Sequence, residues 1–246
     1  ATKYKTDGRV LFELYNEPNG ISWDLWLNGG PGPGFTVVGM QELYDTVRSA
    51  GAHNLVIAGG LDYAFDLSGV ATNPIVGYNV MYATHPYSGN DSAGQWPGSF
   101  GYLAEGDIAP VIATEFGDGS SMCTGAWDTS LIEFANTYKI SWTAWAWFYP
   151  GPNDLCGFPA LLSNWSYTPT VQGVAVKAAL MMYPVPDAGM DAALDAPSAD
   201  AARDGHGDDA SSDDASNDEA GDALGPDDAS DASAATDGAT DAALPD

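Results

Sequence analysis

An α/β protein built on a parallel sheet, followed by an acidic tail without a fold of its own, is what this sequence predicts. Three observations carry that reading. Short apolar runs alternate with helix-period stripes and are separated by Gly/Pro-rich loops. The conspicuous polar and aromatic residues fall just after the apolar runs rather than within them. The composition then breaks near residue 184, beyond which there is no aromatic residue.

The elements follow in order. Val10-Leu11-Phe12-Glu13-Leu14-Tyr15 is predicted as a first strand that ends at Asn16-Glu17-Pro18. After a glycine-rich loop, Met40, Leu43, Tyr44 and Val47 lie at i, i+3, i+4 and i+7, the stripe of an amphipathic helix that Gly51 stops. Residues 54–59 form a second strand, and residues 78–84 a third that runs into His85-Pro86-Tyr87. Residues 110–114 make a fourth, ending at Glu115-Phe116-Gly117. Asp128 is expected to cap a helix with the stripe Leu131, Phe134, Ala135 and Tyr138. Residues 141–147 are a fifth strand, and a last helix runs from about Thr170 to Met182, before Pro184.

Apolar strands followed by helices indicate a parallel sheet covered by helices. Asn16, Glu17, His85, Tyr87, Glu115 and Trp145 would then collect at the C-terminal edge of the sheet, where (β/α)8 TIM barrels build their active sites. Five βα units are too few to close that barrel. The expectation is a partial barrel with three strands missing in front. The opening Ala1-Thr2-Lys3-Tyr4-Lys5, with neither an initiator Met nor an apolar leader, agrees with a fragment or a mature product.

Charge narrows the function. Residues 1–184 carry 16 acidic and 6 basic side chains, and residues 185–246 carry 18 acidic residues and only Arg203 in opposition. The whole chain has a net charge of -27. No basic footprint exists for nucleic acid, and an anionic membrane surface would repel the chain. No run of 18 apolar residues is present to span a bilayer. The last 62 residues are mainly Asp, Ala, Ser and Gly. They cannot bury enough apolar area to offset chain entropy, so residues 185–246 are expected to be a disordered Asp/Ala-rich tail or linker behind a domain of residues 1–184.

Two carboxylates stand out at strand ends: Glu17 before a proline and Glu115 before Phe116-Gly117. A lone strand-end glutamate is commonly a solvated rim residue. Two facing one mouth, with His, Tyr, Asn and tryptophans nearby, suit the cleavage of a glycosidic bond. That reaction needs one carboxylic acid to protonate the leaving oxygen and one carboxylate to attack or to activate water. Exposed tryptophans offer flat apolar faces on which sugar rings stack. Glu13 shares strand parity with Glu17 and should face the barrel interior, where an unpaired charge is costly. No basic residue is an obvious partner, so the expected partner lies in the missing strands, with a protonated Glu13 as the alternative.

These motifs resemble glycoside hydrolase family 5, the large cellulase family of clan A. Leu14-Tyr15-Asn16-Glu17-Pro18 resembles its Asn-Glu-Pro motif on barrel strand 4, and His85-Pro86-Tyr87 its His-x-Tyr after strand 6. Ala113-Thr114-Glu115-Phe116-Gly117 resembles the nucleophile segment of strand 7. Trp142-Thr143-Ala144-Trp145-Ala146-Trp147 resembles strand 8. The match covers about residues 7–183. The resemblance implies that Glu17 is the acid/base and Glu115 the nucleophile of a retaining reaction, whose carboxyl groups stand about 5–5.5 Å apart.

It implies further that Asn16 binds the 2-hydroxyl of the sugar in subsite -1. Tyr87 would hold the nucleophile, and His85 would bind sugar hydroxyls or tune the acid/base. Trp145 would form the floor of subsite -1, with Trp147, which has the same facing, as its rival. The substrate implied is a β-1,4-glucan, with mannan and xylan as alternatives inside the clan. A carbohydrate-binding fragment without activity is the rival of another class. The family's strand 2 arginine and strand 3 histidine have no counterpart in this chain. An exported, monomeric enzyme is implied, and the tail resembles linkers that tether such domains to a wall or to a binding module.

Cys123 and Cys156 fall in adjacent rim loops, compatible with a disulfide of an exported protein or with two free thiols. No metal or other cofactor is expected, because His85 and two distant cysteines lack the spacing of a zinc site. His53, at a helix end, reads as structural, and Asn164-Trp165-Ser166 matches a glycosylation sequon that is common by chance.

Overall fold

The computed structural model describes residues 1–183 apart from residues 33, 90–91, 120–123 and 154–158. The expected tail and the expected cysteine pair, Cys123 and Cys156, lie outside the described residues. All described elements belong to a unit spanning Ala1–Asp187.

Five strands form one parallel sheet in the order β1 (Phe12–Glu13), β4 (Val56–Gly59), β5 (Val80–Thr84), β6 (Val111–Ala113) and β7 (Ser141–Trp142). The order follows the chain, with helices in the crossovers after β1, β5 and β6 and a turn-rich crossover from β4 to β5. This is an incomplete (β/α)8 barrel: β1 and β7 each have a single neighbour in the sheet. Between β1 and β4 lie α1 (Trp23–Asn28), the hairpin of β2 (Gly30–Pro31) and β3 (Thr36–Val37), and α2 (Met40–Ser49). A π-helical turn, Pro97–Gly101, leads into α3 (Tyr102–Glu105), and α4 (Ala126–Thr137) and α5 (Val171–Leu180) complete the helices.

The sheet is the floor of the core. β4 is buried along its whole length, which is why its sequence is an unbroken apolar run rather than an alternating one. α2 buries Met40 and Tyr44 against it, half of the expected stripe, while Leu43 and Val47 pack at the edge of the same core. Trp26 of α1 is 1% exposed and donates its indole N–H to Gly59 O at 2.8 Å, fixing α1 over the end of β4. Asn54, just before β4, gives its amide to the carbonyls of Asp7 at 2.7 Å and Val10 at 2.8 Å, and this ties the N-terminal segment to β4.

The structure corrects two local expectations. The outer strands are far shorter than the apolar runs that predicted them, because β1 and β7 have a hydrogen-bonded neighbour on one side only. Asp128 is not a cap. Gly125, at φ 69°, precedes α4, and Asp128 sits in the first turn, where it is 1% exposed. Thr170 does cap α5, its hydroxyl accepting from Gly173 N–H at 3.0 Å.

Candidate active site

The C-terminal ends of β1, β4, β5 and β6 converge on one cleft. A cavity of about 510 Å³ there is lined by Glu17, Asp62, Tyr63, Phe65, His85, Tyr87 and Gly89. Glu17 also borders a more apolar hollow of about 490 Å³ that includes Tyr15, Trp26, Phe35 and Met40.

Local backbone geometry aims the polar side chains. Glu17 adopts φ 50° immediately before Pro18. A proline discourages right-handed helical geometry in the residue before it, and a left-handed glutamate is an uncommon conformation that persists where surrounding contacts enforce it. Tyr87 forms a parallel bridge with Gly117, which extends the β5–β6 pairing beyond the strands and sets Tyr87 beside Glu115. Gly117 has no room for a side chain: a Cβ there would collide with Pro159 Cβ. Trp145 donates its backbone N–H to Phe116 O at 2.9 Å, which anchors it next to the Glu115 segment.

The side chains then form a continuous network. His85, whose side chain is 1% exposed, has Nδ1 3.1 Å from Glu17 Oε1 and 3.7 Å from Glu115 Oε2. Its Nε2 is 2.8 Å from Thr114 Oγ1. Thr114 in turn donates to Glu13 Oε1 at 3.0 Å. Tyr87 donates its hydroxyl hydrogen to Glu115 Oε2 at 2.8 Å. One ligand atom from each of Glu17, His85 and Glu115 lies within 4.8 Å of the others. Such a triple has the residue types of a cation site as well. Here its members already contact one another or Tyr87, and no metal ligation is assigned to them.

Electrostatics follow from this packing. Burial opposes a charge on His85, but Glu13, Glu17 and Glu115 together outweigh it and hold the imidazole above its ordinary range. Burial and the neighbouring Glu115 raise the Tyr87 phenol well above its usual value, so it stays a donor.

The expected site residues divide as follows. Glu17, His85, Tyr87 and Glu115 come together in the network above. Asn16 is exposed next to Glu17. Trp145 is 40% exposed at the β7 end, and Trp147 is 69% exposed and stacked on Tyr167 with ring centroids 6.0 Å apart. Glu13 finds contacts within this chain, through Thr114 and His85. Sequence reading missed Thr114, which bridges β1 and β6, and Tyr63, which is 54% exposed in the cleft. Asp62, Tyr63 and Ala64 are successive left-handed residues at φ 53°, 57° and 64°, and only the aspartate has a side chain suited to that conformation.

With this geometry in hand, comparison with known proteins is specific. Residues 1–151 match the family model for Cellulase (glycosyl hydrolase family 5). Among curated proteins, Endoglucanase 5 of Pectobacterium carotovorum is 30% identical over 151 residues, covering 59% of this chain and 28% of that protein. An endoglucanase of Paenibacillus polymyxa is 26% identical over 198 residues, covering 68% of this chain and 48% of that protein. The chain thus spans less than half the length of these relatives. Among solved structures, the native beta-glucanase SdGluc5_26A of Saccharophagus degradans superposes with a TM-score of 0.57 at 24% identity, over 70% of this chain and 54% of that one. That last likeness concerns the fold. Taken with the ordered strand-end motifs, the family match means that this chain belongs to the cellulase family, glycosyl hydrolase family 5.

Proposed function

We propose that this chain carries the covalent machinery of a retaining glycoside hydrolase acting on a β-1,4-glucan. One observation bears most of the weight: carboxylate oxygens of Glu17 and Glu115 lie within 4.8 Å of each other across a cleft. Retaining enzymes keep their carboxyl groups about 5–5.5 Å apart, whereas inverting enzymes need about 6.5–9.5 Å to admit a water. In this reading Glu115 attacks the anomeric carbon while protonated Glu17 gives its proton to the departing oxygen. Glu17, now a carboxylate, then takes a proton from the water that releases the sugar from Glu115. Tyr87 holds the attacking carboxylate, and Asn16 binds the 2-hydroxyl. The exposed face of Trp145 suits the floor of subsite -1, while Trp147 is already stacked on Tyr167. Tyr63, exposed in the cavity that Glu17 also lines, offers a further stacking face.

The substrate class is supported by the relatives, which are endoglucanases. It is supported also by the Saccharophagus β-glucanase, whose structure is known in complex with cellotetraose. A polymeric glucan is met outside the cell, so we infer an exported protein. Among the described residues no helix is long and apolar enough to cross a membrane. In the same reading residues 185–246 act as a linker.

The experiment is trapping with a 2-deoxy-2-fluoro-cellobioside that bears an activated leaving group. The expected result is a covalent adduct that maps to Glu115 and is absent in Glu115→Gln. Glu17→Gln should still be trapped. An adduct on another residue would overturn the assignment. A product released first as the inverted anomer would replace retention by inversion. A second reading, saccharide binding without turnover, draws on the open edges at β1 and β7. It predicts bound cello-oligosaccharide and no adduct.

A further inference from the structure

The buried imidazole in the network has two neighbours of different chemistry, and together they leave it one neutral form. Thr114 has a single hydroxyl hydrogen, and the hydroxyl donates to Glu13 Oε1 at 3.0 Å. In that contact Glu13 Oε1 is the acceptor, so the one Thr114 hydroxyl hydrogen is already committed. The Thr114 oxygen is then free only to accept. His85 Nε2 stands 2.8 Å away and must carry a hydrogen. In neutral His85 the remaining nitrogen, Nδ1, is bare, and it faces Glu17 Oε1 at 3.1 Å. Such a contact is bonded only if Glu17 holds the proton. If His85 is cationic, both nitrogens donate and Glu17 is a carboxylate. Either way one proton is shared across the Glu17–His85 contact. The arrangement with a neutral Nδ1–H beside a Glu17 carboxylate would leave Nε2 unbonded in a buried position, which is costly.

We propose that Glu13 is a positioning residue: acting through the Thr114 hydroxyl, it fixes a proton on Nε2 of His85 and so commits Nδ1 to sharing the Glu17 proton. Glu13 Oε1 itself stands 3.8 Å from Nε2, beyond hydrogen-bond distance, and the remaining groups around His85 do not compete for that nitrogen. Glu115 lies 3.7 Å from Nδ1, and the Tyr87 hydroxyl is given to Glu115. Asp62 and Tyr63 share the cleft from the loop after β4, and the Ala64 carbonyl accepts the backbone N–H of His85 at 3.3 Å. The consequence for rate rests on Glu17 being the acid/base. The protonation pattern does not, and it is measurable whether or not the chain turns over a substrate.

The test is long-range ¹H–¹⁵N correlation of the ring nitrogens in the 246-residue chain, which has only three histidines, each assigned by a single His→Gln variant. The expected result for the unmodified chain is that His85, once neutral, shows the Nε2–H pattern. Thr114→Val should shift the ring toward Nδ1–H, and Thr114→Ser should restore the original pattern. Glu13→Gln keeps an acceptor for Thr114 but removes a negative charge, so the His85 midpoint should move to lower pH by roughly one unit. An Nδ1–H pattern in the unmodified chain would overturn the proposal, and that measurement needs no variant to fold. Identical ring shifts and midpoints in Thr114→Val and Glu13→Gln would overturn it too. Failure to trap Glu115 while His85 shows Nε2–H would leave this inference standing and remove the hydrolase reading. The reverse outcome would remove this inference alone.

Discussion

Tyr87 donates its hydroxyl hydrogen to Glu115 Oε2 at 2.8 Å, from a loop that a parallel bridge to Gly117 holds in register with the Glu115 segment. A charge-assisted hydrogen bond of this kind contributes about 1.5–3 kcal/mol. Tyr87→Phe keeps the ring and its packing but removes the donor. Trapping of Glu115 by the fluorinated cellobioside should slow about 10–100-fold, since each 1.4 kcal/mol is worth about a factor of ten. The melting temperature should change little. Equal trapping rates in the two proteins would mean that the contact does not position Glu115 for attack.

His85 links the site to stability. Its imidazole is held above the ordinary value of about 6.5 by the three glutamates, against the opposing effect of burial. The folded state therefore binds the proton more tightly than the unfolded state. That contribution is complete below about pH 6.5 and fades as pH rises through the raised folded value. Thermal melts of the unmodified chain and of His85→Gln should differ more at pH 5.5 than at pH 9. A gap that widens with rising pH would show that His85 is buried as a neutral ring.

Asp128 works in the opposite sense. It is 1% exposed in the first turn of α4, its Oδ2 has no hydrogen-bond partner among the described residues, and its acidity is weakened to about 6 by burial and then by Asp118. Between about pH 4 and 6 the folded state keeps a proton that the unfolded state releases, so stability falls across that window and stays lower above it. Asp128→Asn removes the charge and leaves one buried polar atom unpartnered, as before. It should stabilise the chain by about 2–3 kcal/mol at pH 7, on the basis of roughly two pH units at about 1.4 kcal/mol each. The gain should vanish near pH 4. A variant less stable than the parent at pH 7 would show that the carboxylate makes contacts worth more than its desolvation costs.

The sheet and most of the site were legible in the sequence because both depend on local pattern. An apolar run such as residues 54–59 reads as a buried parallel strand, and the polar residues after each run mark the edge of the sheet where the candidate site lies. What stayed hidden depends on pairing across the sheet. The link from Glu13 to Thr114 joins residues 101 positions apart, and no spacing rule points from one to the other. The left-handed run Asp62-Tyr63-Ala64 has no glycine to announce it. Asp128 precedes a helical stripe and so mimics a cap. The actual break at Gly125 became visible only when α4 was seen to begin at Ala126.

The openness of the sheet leads to the last prediction, which concerns activity rather than architecture. Glu17 and Glu115 sit just beyond the β1 and β6 ends, separated in the sheet by β4 and β5, and among the described residues β1 has no strand on its outer side. Their separation is therefore controlled by the curvature of a sheet that the described strands leave open. Positioning is sensitive: a displacement of about 1 Å can cost on the order of a hundredfold in rate. Glu13 and Glu17 also keep about a third of their side-chain surface exposed, 34% and 31%, where solvent weakens each electrostatic contact. The expected outcome is that the 246-residue chain hydrolyses carboxymethylcellulose at least about a hundredfold more slowly than a chain extended by three βα units upstream of residue 1. Both should be assayed in parallel on carboxymethylcellulose, mannan and xylan, with Glu115→Gln as the control for each. Equal rates in the two lengths would show that β1, β4, β5 and β6 hold the carboxylates without closure. Cleavage of mannan or xylan alone would keep the two carboxylates in their roles and replace the glucan as substrate.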